Sequence, residues 1–168
     1  MQLQSYKKGD EALILNPSLS DIENPSLKEF FSFWLELHNK NGKPRREDFS
    51  PKDLIKFLPN MTLIDYEQDR GRFRHRVMGT KVVQACGVDN TNKYFDEIEN
   101  AKYAIERLSW SVENGKPYYV RSNSMQWVVN DFYGYDAVGC PLFDDNDKVN
   151  MIVFLFAFRS KYREAIGL

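Results

Sequence analysis

Two stretches of the chain place apolar residues along one side of a predicted helix. The first begins at Asn24-Pro25-Ser26, where Ser26 and Glu29 have the spacing of a capping box, and it ends near Asn41-Gly42. Its apolar stripe contains Leu27, Phe30, Phe31, Trp34 and Leu37. The second runs over residues 100–114, and its apolar face contains Ala101, Ala104, Ile105, Leu108 and Val112. Spacings of three and four residues in both stretches predict amphipathic α-helices.

Residues 61–67 and 72–78 predict a β-hairpin, and a short helix lies on either side of it. The helix before the hairpin starts at Ser50-Pro51, and the helix after it lies between Gly79 and Gly87. A four-residue turn pairs, on one face, Glu67 with Arg72, Asp65 with Arg74 and Leu63 with Arg76. On the other face it pairs Tyr66 with Phe73, Ile64 with His75 and Thr62 with Val77. The hairpin is therefore expected to have one charged face and one mostly apolar face.

Three further strands are predicted at about residues 118–125, 127–142 and 148–159, and an acidic turn separates the last two. Both alternating sets of the last strand are apolar: Met151, Val153, Leu155 and Ala157 on one side, Ile152, Phe154, Phe156 and Phe158 on the other. Such a strand is expected inside a sheet that is covered on both faces. The helices between residues 79 and 114 are one cover, and the N-terminal helix, a partner subunit or both supply the other.

The composition is that of one ordinary globular domain, with 168 residues of which 42% are hydrophobic and 28% are charged. A net charge of −1 argues against attraction to nucleic acid or to an anionic membrane. The longest apolar run, residues 151–158, is too short to span a bilayer as a helix, and residues 1–10 contain no apolar signal core. We therefore expect a cytoplasmic protein with a partly ordered N-terminal extension (1–24), one domain (25–160) and a C-terminal tail (161–168).

The order of these elements resembles a PAS domain, and in particular the compact bacterial PAS-like family that is common in alphaproteobacteria. Three patches carry the resemblance. The segment from Pro44-Arg45-Arg46-Glu47-Asp48-Phe49-Ser50-Pro51 to Leu58-Pro59 is similar to the family's entry segment, and Phe73-Arg74-His75-Arg76-Val77-Met78-Gly79-Thr80 to its second strand. Tyr135 through Cys140-Pro141-Leu142, followed by an acidic turn, is similar to its last hairpin, although Asn146-Asp147 replaces the usual Asp-Gly.

The resemblance implies an α+β fold: a PAS-like five-stranded antiparallel sheet with helices on one face, which enclose a cavity, and an N-terminal helix. It implies a sensory module that is not an enzyme and that acts through a small apolar or amphipathic ligand, through protein contacts, or through both. Its signal is expected to pass in trans to a protein such as a two-component kinase. A small enzyme is the least favoured alternative. A homodimer is also expected. The cofactor is unknown. Haem and flavin are disfavoured because no residue other than His75 resembles an axial haem ligand and the neighbours of Cys86 do not resemble the flavin-adduct motif.

Six residues are predicted to contact the ligand because they lie on the interior side of the hairpin or on the apolar face of the second long helix: Ile64, Phe73, His75, Val77, Ile105 and Leu108. His75 is the most informative of these residues. A core histidine bonded to a backbone carbonyl is the favoured interpretation, since most buried polar groups are satisfied in this way. The alternatives are ligand contact, haem binding and a charge switch with pH.

Arg70, Arg72, Arg74 and Arg76 share one face of the hairpin and allow two interpretations. One is a nucleic-acid-associated regulator that uses this basic face, extended by Lys43, Arg45 and Arg46. The favoured interpretation is a cross-strand ladder that Asp65 and Glu67 neutralise.

The aromatic stripe of the first helix also leaves two alternatives open. Phe30, Phe31, Trp34 and Leu37 form a dimer interface, a face that packs on the chain's own sheet, or both, because the two interpretations are not exclusive. The remaining candidates have simpler interpretations. Cys86 and Cys140 are predicted to be small buried residues, and residues 144–147 form a solvated turn, because this loop lacks the glycine and glutamate of a calcium loop.

Overall fold

The computed structural model describes residues 2–124 and 132–160. Its strands are β1 (Tyr6–Lys8), β2 (Glu11–Leu15), β3 (Met61–Glu67), β4 (Arg72–Met78), β5 (Tyr118–Ser124), β6 (Phe132–Phe143) and β7 (Val149–Ser160). Its α-helices are α1 (Pro25–Asn41), α2 (Pro51–Leu54), α3 (Thr80–Cys86) and α4 (Lys102–Asn114). The strands form one antiparallel sheet in the order β1-β2-β5-β6-β7-β3-β4. No helix among these residues is both long and apolar enough to cross a membrane.

The sheet has seven strands, which corrects the prediction of five. The two additional strands, β1 and β2, come from the segment that the sequence indicates to be an extension. β2 pairs with β5, with Leu13 opposite Val120, and Ala12 and Leu13 are buried. A strand of five residues is too short to show a period, and its hydrogen-bonding partner lies about a hundred residues away in the chain. The predicted strand residues 125 and 127–131 and the tail 161–168 lie outside the described residues.

β7 is paired on both edges and covered on both faces, as its two apolar sets predict. It lies between β6 and β3 in the sheet. Met151, Val153 and Leu155 pack in the core that contains α1, whereas Ile152 and Phe154 pack in the core that contains α4. Helices therefore cover both faces of the sheet, and the face opposite α4 is covered by α1, the predicted N-terminal helix.

The aromatic stripe of α1 packs on the chain's own sheet. Phe30 and Phe31 are fully buried, and Trp34 is only 2% exposed. The indole Nε1–H of Trp34 donates a hydrogen bond to the backbone oxygen of Pro141 in β6 at 3.0 Å. These three side chains are covered within one chain, which removes them from the predicted dimer interface, while Leu37 is half-buried at the edge of the same core.

The N-terminal cap of α1 is Asn24 rather than the predicted Ser26. The Asn24 side-chain oxygen accepts hydrogen bonds from the backbone N–H groups of Ser26 at 3.0 Å and Leu27 at 3.1 Å. Pro25 occupies the first helical position, where its missing N–H leaves no bond unmade. The predicted ends elsewhere are confirmed: α1 ends at Gly42 with a φ of 82°, and Ser50 caps α2.

The cap predicts a difference in stability between two substitutions in the same turn. Asn24→Ala removes both capping hydrogen bonds and should lower the free energy of unfolding by about 1 kcal/mol. Ser26→Ala is the matched control and should change it by less than about 0.5 kcal/mol, because the Ser26 side chain is not the cap. Urea unfolding measures both values, and an equal loss in the two variants would contradict the assignment of Asn24.

Candidate ligand cavity

A cavity of about 330 Å³ lies between the sheet and the helices α3 and α4. All seven strands contribute to its wall, as do Val82 and Cys86 from α3 and Leu108 from α4. Aromatic rings make up much of the surface: His75, Phe95, Tyr118, Tyr135, Phe154 and Phe156. The cavity is therefore bounded by the face of the sheet opposite α1.

Three of the six predicted ligand contacts line this cavity, namely Ile64, His75 and Leu108. Phe73 is buried but lies outside the wall, where its ring packs at 4.9 Å from that of Tyr66. Ile105 is half-buried and packs against the same apolar core without reaching the wall. The hairpin and α4 thus both face the cavity as predicted, but only three of the six predicted residues line it.

Val77 is the predicted contact that the structure turns outward, because the hairpin contains a β-bulge. The register agrees with the prediction from Glu67 opposite Arg72 to Ile64 opposite His75, and it then shifts so that Leu63 faces Val77. One extra residue reverses the side to which the following side chains point. Val77 is consequently 46% exposed, and the interior position passes to Met78, which lines the cavity.

The cavity residues that the sequence analysis missed lie mainly on β5, β6 and β7. Tyr118, Tyr135, Phe154 and Phe156 reach the wall through strand pairings that no local pattern specifies. The alternation of β7 does separate Phe154 and Phe156 from Val153 and Leu155, but it does not indicate which set faces the cavity. That choice depends on the contact between β7 and α4, which are distant in the sequence.

His75 is held firmly in the cavity wall. Its side chain is buried, and its ring stacks on Phe95 with 4.1 Å between centroids. Its backbone N–H donates to the oxygen of Lys93 at 3.0 Å, and its carbonyl accepts from Asn92 at 2.7 Å. Burial lowers the pKa of His75 from 6.5 to about 4, and the Lys93 backbone near the imidazole and the charge of Asp89 oppose this shift only in part. The imidazole is therefore neutral at pH 7.

The wall also contains polar atoms without a partner. Within the described part of the chain, neither the imidazole Nδ1 of His75 nor the hydroxyl of Thr62 has a hydrogen-bond partner, and both atoms are buried. Thr62 lies on β3, next to the β4 strand that carries His75, and it lines the same cavity. Buried polar groups are satisfied in the great majority of cases, so these two atoms mark a polar spot that lacks its hydrogen-bond partners.

At the solvent side of the cavity lie Tyr6, Glu11, Glu99 and Arg107, which together form the cavity mouth. The Tyr6 hydroxyl donates to Glu11 Oε1 at 3.0 Å and accepts from Arg107 Nη2 at 3.5 Å. These contacts join the β1–β2 hairpin to α4. The segment that the sequence treats as an extension thus forms part of the cavity's rim.

The two cysteines are buried and unbonded, as predicted. Cys86 lines the cavity, and burial raises the pKa of its thiol to about 12. Burial also raises the pKa of Cys140 well above its usual value. Both thiols are therefore protonated at pH 7, which makes them poor nucleophiles.

Each of the four arginines of the hairpin has an acidic partner. Arg74 and Arg76 pair with Asp65 at 3.0 Å and 3.4 Å, and Arg70 pairs with Glu67 at 3.8 Å. Arg72 differs from the expected ladder, because it pairs with Asp96 at 2.7 Å rather than with Glu67. These ion pairs favour the structural interpretation of the basic face.

The second basic segment is paired as well. Arg45 lies 2.7 Å from Asp145, and Lys43 lies 4.0 Å from Asp147, so the basic loop and the acidic turn meet in space. Arg46 donates to the backbone oxygen of Phe49. The basic loop and the acidic turn, which are far apart in the sequence, thus neutralise each other.

In residues 2–124 and 132–160, no group of three acidic, histidine or cysteine side chains is arranged to hold a metal ion.

Comparison with known proteins agrees with this fold. A family model of the PAS domain matches residues 22–114, more than half of the chain, and the chain therefore belongs to the PAS domain family. PAS domains are sensory and signal-transduction modules, so the match confirms the prediction of a PAS domain and the general class of function. They are generally sensory rather than catalytic.

Among solved structures, the chain is similar to a light-oxygen-voltage domain studied with a flavin analogue. The two are 16% identical, the match covers 68% of this chain and 88% of that one, and the TM-score is 0.45. A search of curated proteins finds no match.

The burial of His75 predicts a dependence of stability on pH. From pH 6.5 down to about 4, the unfolded chain protonates this imidazole and the fold does not, so stability falls as pH falls. Above pH 6.5 both states are neutral and the contribution vanishes. His75→Phe keeps a ring against Phe95 but removes the titrating group. Between about pH 7 and pH 4.5, its free energy of unfolding should fall by about 2 kcal/mol less than that of the unmodified protein.

Urea unfolding at each pH measures this difference. The exposed His38 provides the matched control, because His38→Phe removes the other histidine of the chain without touching the cavity. His38→Phe should still show the loss of stability at low pH that His75 causes. Identical pH profiles for His75→Phe and the unmodified protein would show that His75 titrates alike in the folded and unfolded states.

Proposed function

We propose that this PAS domain is a sensor that binds a small molecule in the cavity between the sheet and the helices α3 and α4. The observation that carries the proposal is the cavity itself. Its volume of about 330 Å³ lies at the lower end of the range for ligand pockets. It is roughly twice the volume of a 150 Å³ engineered cavity that accepts benzene. A ligand of one or two rings is of the corresponding size.

The arrangement of β7 supports a route by which ligand binding reaches the outer surface. Phe154 lines the cavity, and its neighbours Val153 and Leu155 pack in the core under α1 on the opposite face. A ligand that displaces Phe154 therefore acts on the strand against which α1 rests. We propose that the change passes through α1 or the sheet to a second protein, such as a two-component kinase, and that the domain works as a homodimer.

Native mass spectrometry of the purified protein tests the ligand-binding function directly. We expect a mass excess over the denatured protein, which identifies a bound small molecule, and the same spectrum gives the oligomeric state. A protein that carries no ligand under native conditions would contradict the proposal that the cavity is occupied.

A pair of substitutions on α4 locates the binding. Ala104 lines the cavity, so Ala104→Leu places additional atoms in it and should reduce the bound fraction at least tenfold. Glu106 lies on the same helix, is exposed and does not line the cavity, which makes Glu106→Leu the matched control. Equal retention of the bound mass in both variants would place the ligand elsewhere.

A further inference from the structure

The sheet side of the cavity has a continuous aromatic surface, here called the aromatic floor (Tyr118, Tyr135, Phe154 and Phe156). The centroids of Tyr118 and Phe154 are 5.5 Å apart, those of Phe154 and Phe156 are 5.9 Å apart, and those of Phe156 and Tyr135 are 5.3 Å apart. The chain of contacts spans the three adjacent strands β5, β6 and β7. Rings at these separations favour a further ring that packs edge to face or offset against them.

A polar spot lies beside this floor. Thr62 is 2% exposed and His75 is 8% exposed, and each has a buried polar atom without a partner in the described part of the chain. The threonine hydroxyl is both a donor and an acceptor, and it can be reoriented by a rotation about χ1. Both atoms have almost no accessible surface, so a rotation about χ1 of Thr62 would bring its hydroxyl to a hydrogen-bonding group in the cavity.

The charged side chains of the cavity wall are Glu11, Glu99 and Arg107, and the charge of Arg107 partly offsets the raised pKa of the buried Tyr118. Arg107 is already hydrogen-bonded to Tyr6. His75 and Cys86 also line the cavity, and burial leaves both neutral at pH 7, with pKa values of about 4 and about 12. An ionised group placed against His75 and Cys86 would therefore lose its hydration without gaining a countercharge from either.

These three observations define a class of ligand. Building on the proposed ligand-binding function, we propose that the cavity selects a neutral aromatic molecule of one or two rings that carries a hydrogen-bonding group. The ring lies against the aromatic floor, and the polar group bonds to Thr62, His75 or both.

Three probes of matched size test the selectivity: 2-naphthol, naphthalene and 2-naphthoate. They share the same pair of rings and differ in carrying a neutral hydroxyl, no polar group or a negative charge at neutral pH. Titrations followed by the amide signals of the labelled protein give the affinities. We expect 2-naphthol to bind at least tenfold more tightly than either of the other two probes.

Two threonine variants connect the selectivity to the polar spot. Thr62→Val keeps the branched shape and removes the hydroxyl, so the preference for 2-naphthol over naphthalene should fall to threefold or less. The same variant should melt at a higher temperature without ligand, because it removes a buried polar atom that has no partner. Thr80→Val is the matched control, since Thr80 is exposed and lies outside the cavity wall, and it should leave the preference unchanged.

The outcomes separate this proposal from the function on which it rests. Equal binding of 2-naphthol and naphthalene, or tight binding of 2-naphthoate, overturns the ligand class while the cavity remains a binding site. A co-purified molecule that is charged or lacks a ring has the same consequence. If no probe binds and the native protein carries no small molecule, the ligand-binding function fails together with the proposed selectivity.

Discussion

The structure depends on one constraint, which is that the strand β7 must bury two apolar faces at once. Val153 and Leu155 require a cover on one side, and Ile152 and Phe154 require a cover on the other. A single layer of helices cannot satisfy both sets. The sheet is therefore covered on both faces, by α1 on one and by α3 and α4 on the other.

The two covers differ in how closely they pack, and this difference creates the cavity. Under α1, large side chains such as Phe31 and Trp34 reach the sheet and are almost completely buried. On the other face, Ala104 and Leu108 of α4 lie opposite aromatic side chains of the sheet. A space of about 330 Å³ remains between the helix and the sheet. Protein interiors are normally close-packed, so a space of this size lowers the free energy of unfolding unless a ligand fills it.

The elements that the sequence predicts well are those whose signals lie close together in the chain. The hairpin register from Glu67 to Ile64 follows from its turn length and from the alternation of its two strands. The bulge that turns Val77 outward leaves no local signal, because both a regular and a bulged strand fit the same residues. The strand β2 was missed for a related reason, since it becomes recognisable only beside β5. His75 could be placed in the wall from its alternation, whereas the aromatic floor depends on pairings between distant strands.

One short segment of β6 connects the cavity to the opposite face of the sheet. Gly139 pairs with Phe154, and a Cβ at this position would lie 2.4 Å from the Phe154 ring, so only glycine allows that ring to rest against the strand. Two residues further on, the carbonyl of Pro141 accepts the hydrogen bond from Trp34 of α1. A ligand that moves the Phe154 ring therefore acts on a backbone segment to which α1 is directly bonded. The close approach at Gly139 thus places the cavity wall and the hydrogen-bond partner of α1 within two residues of each other on one strand.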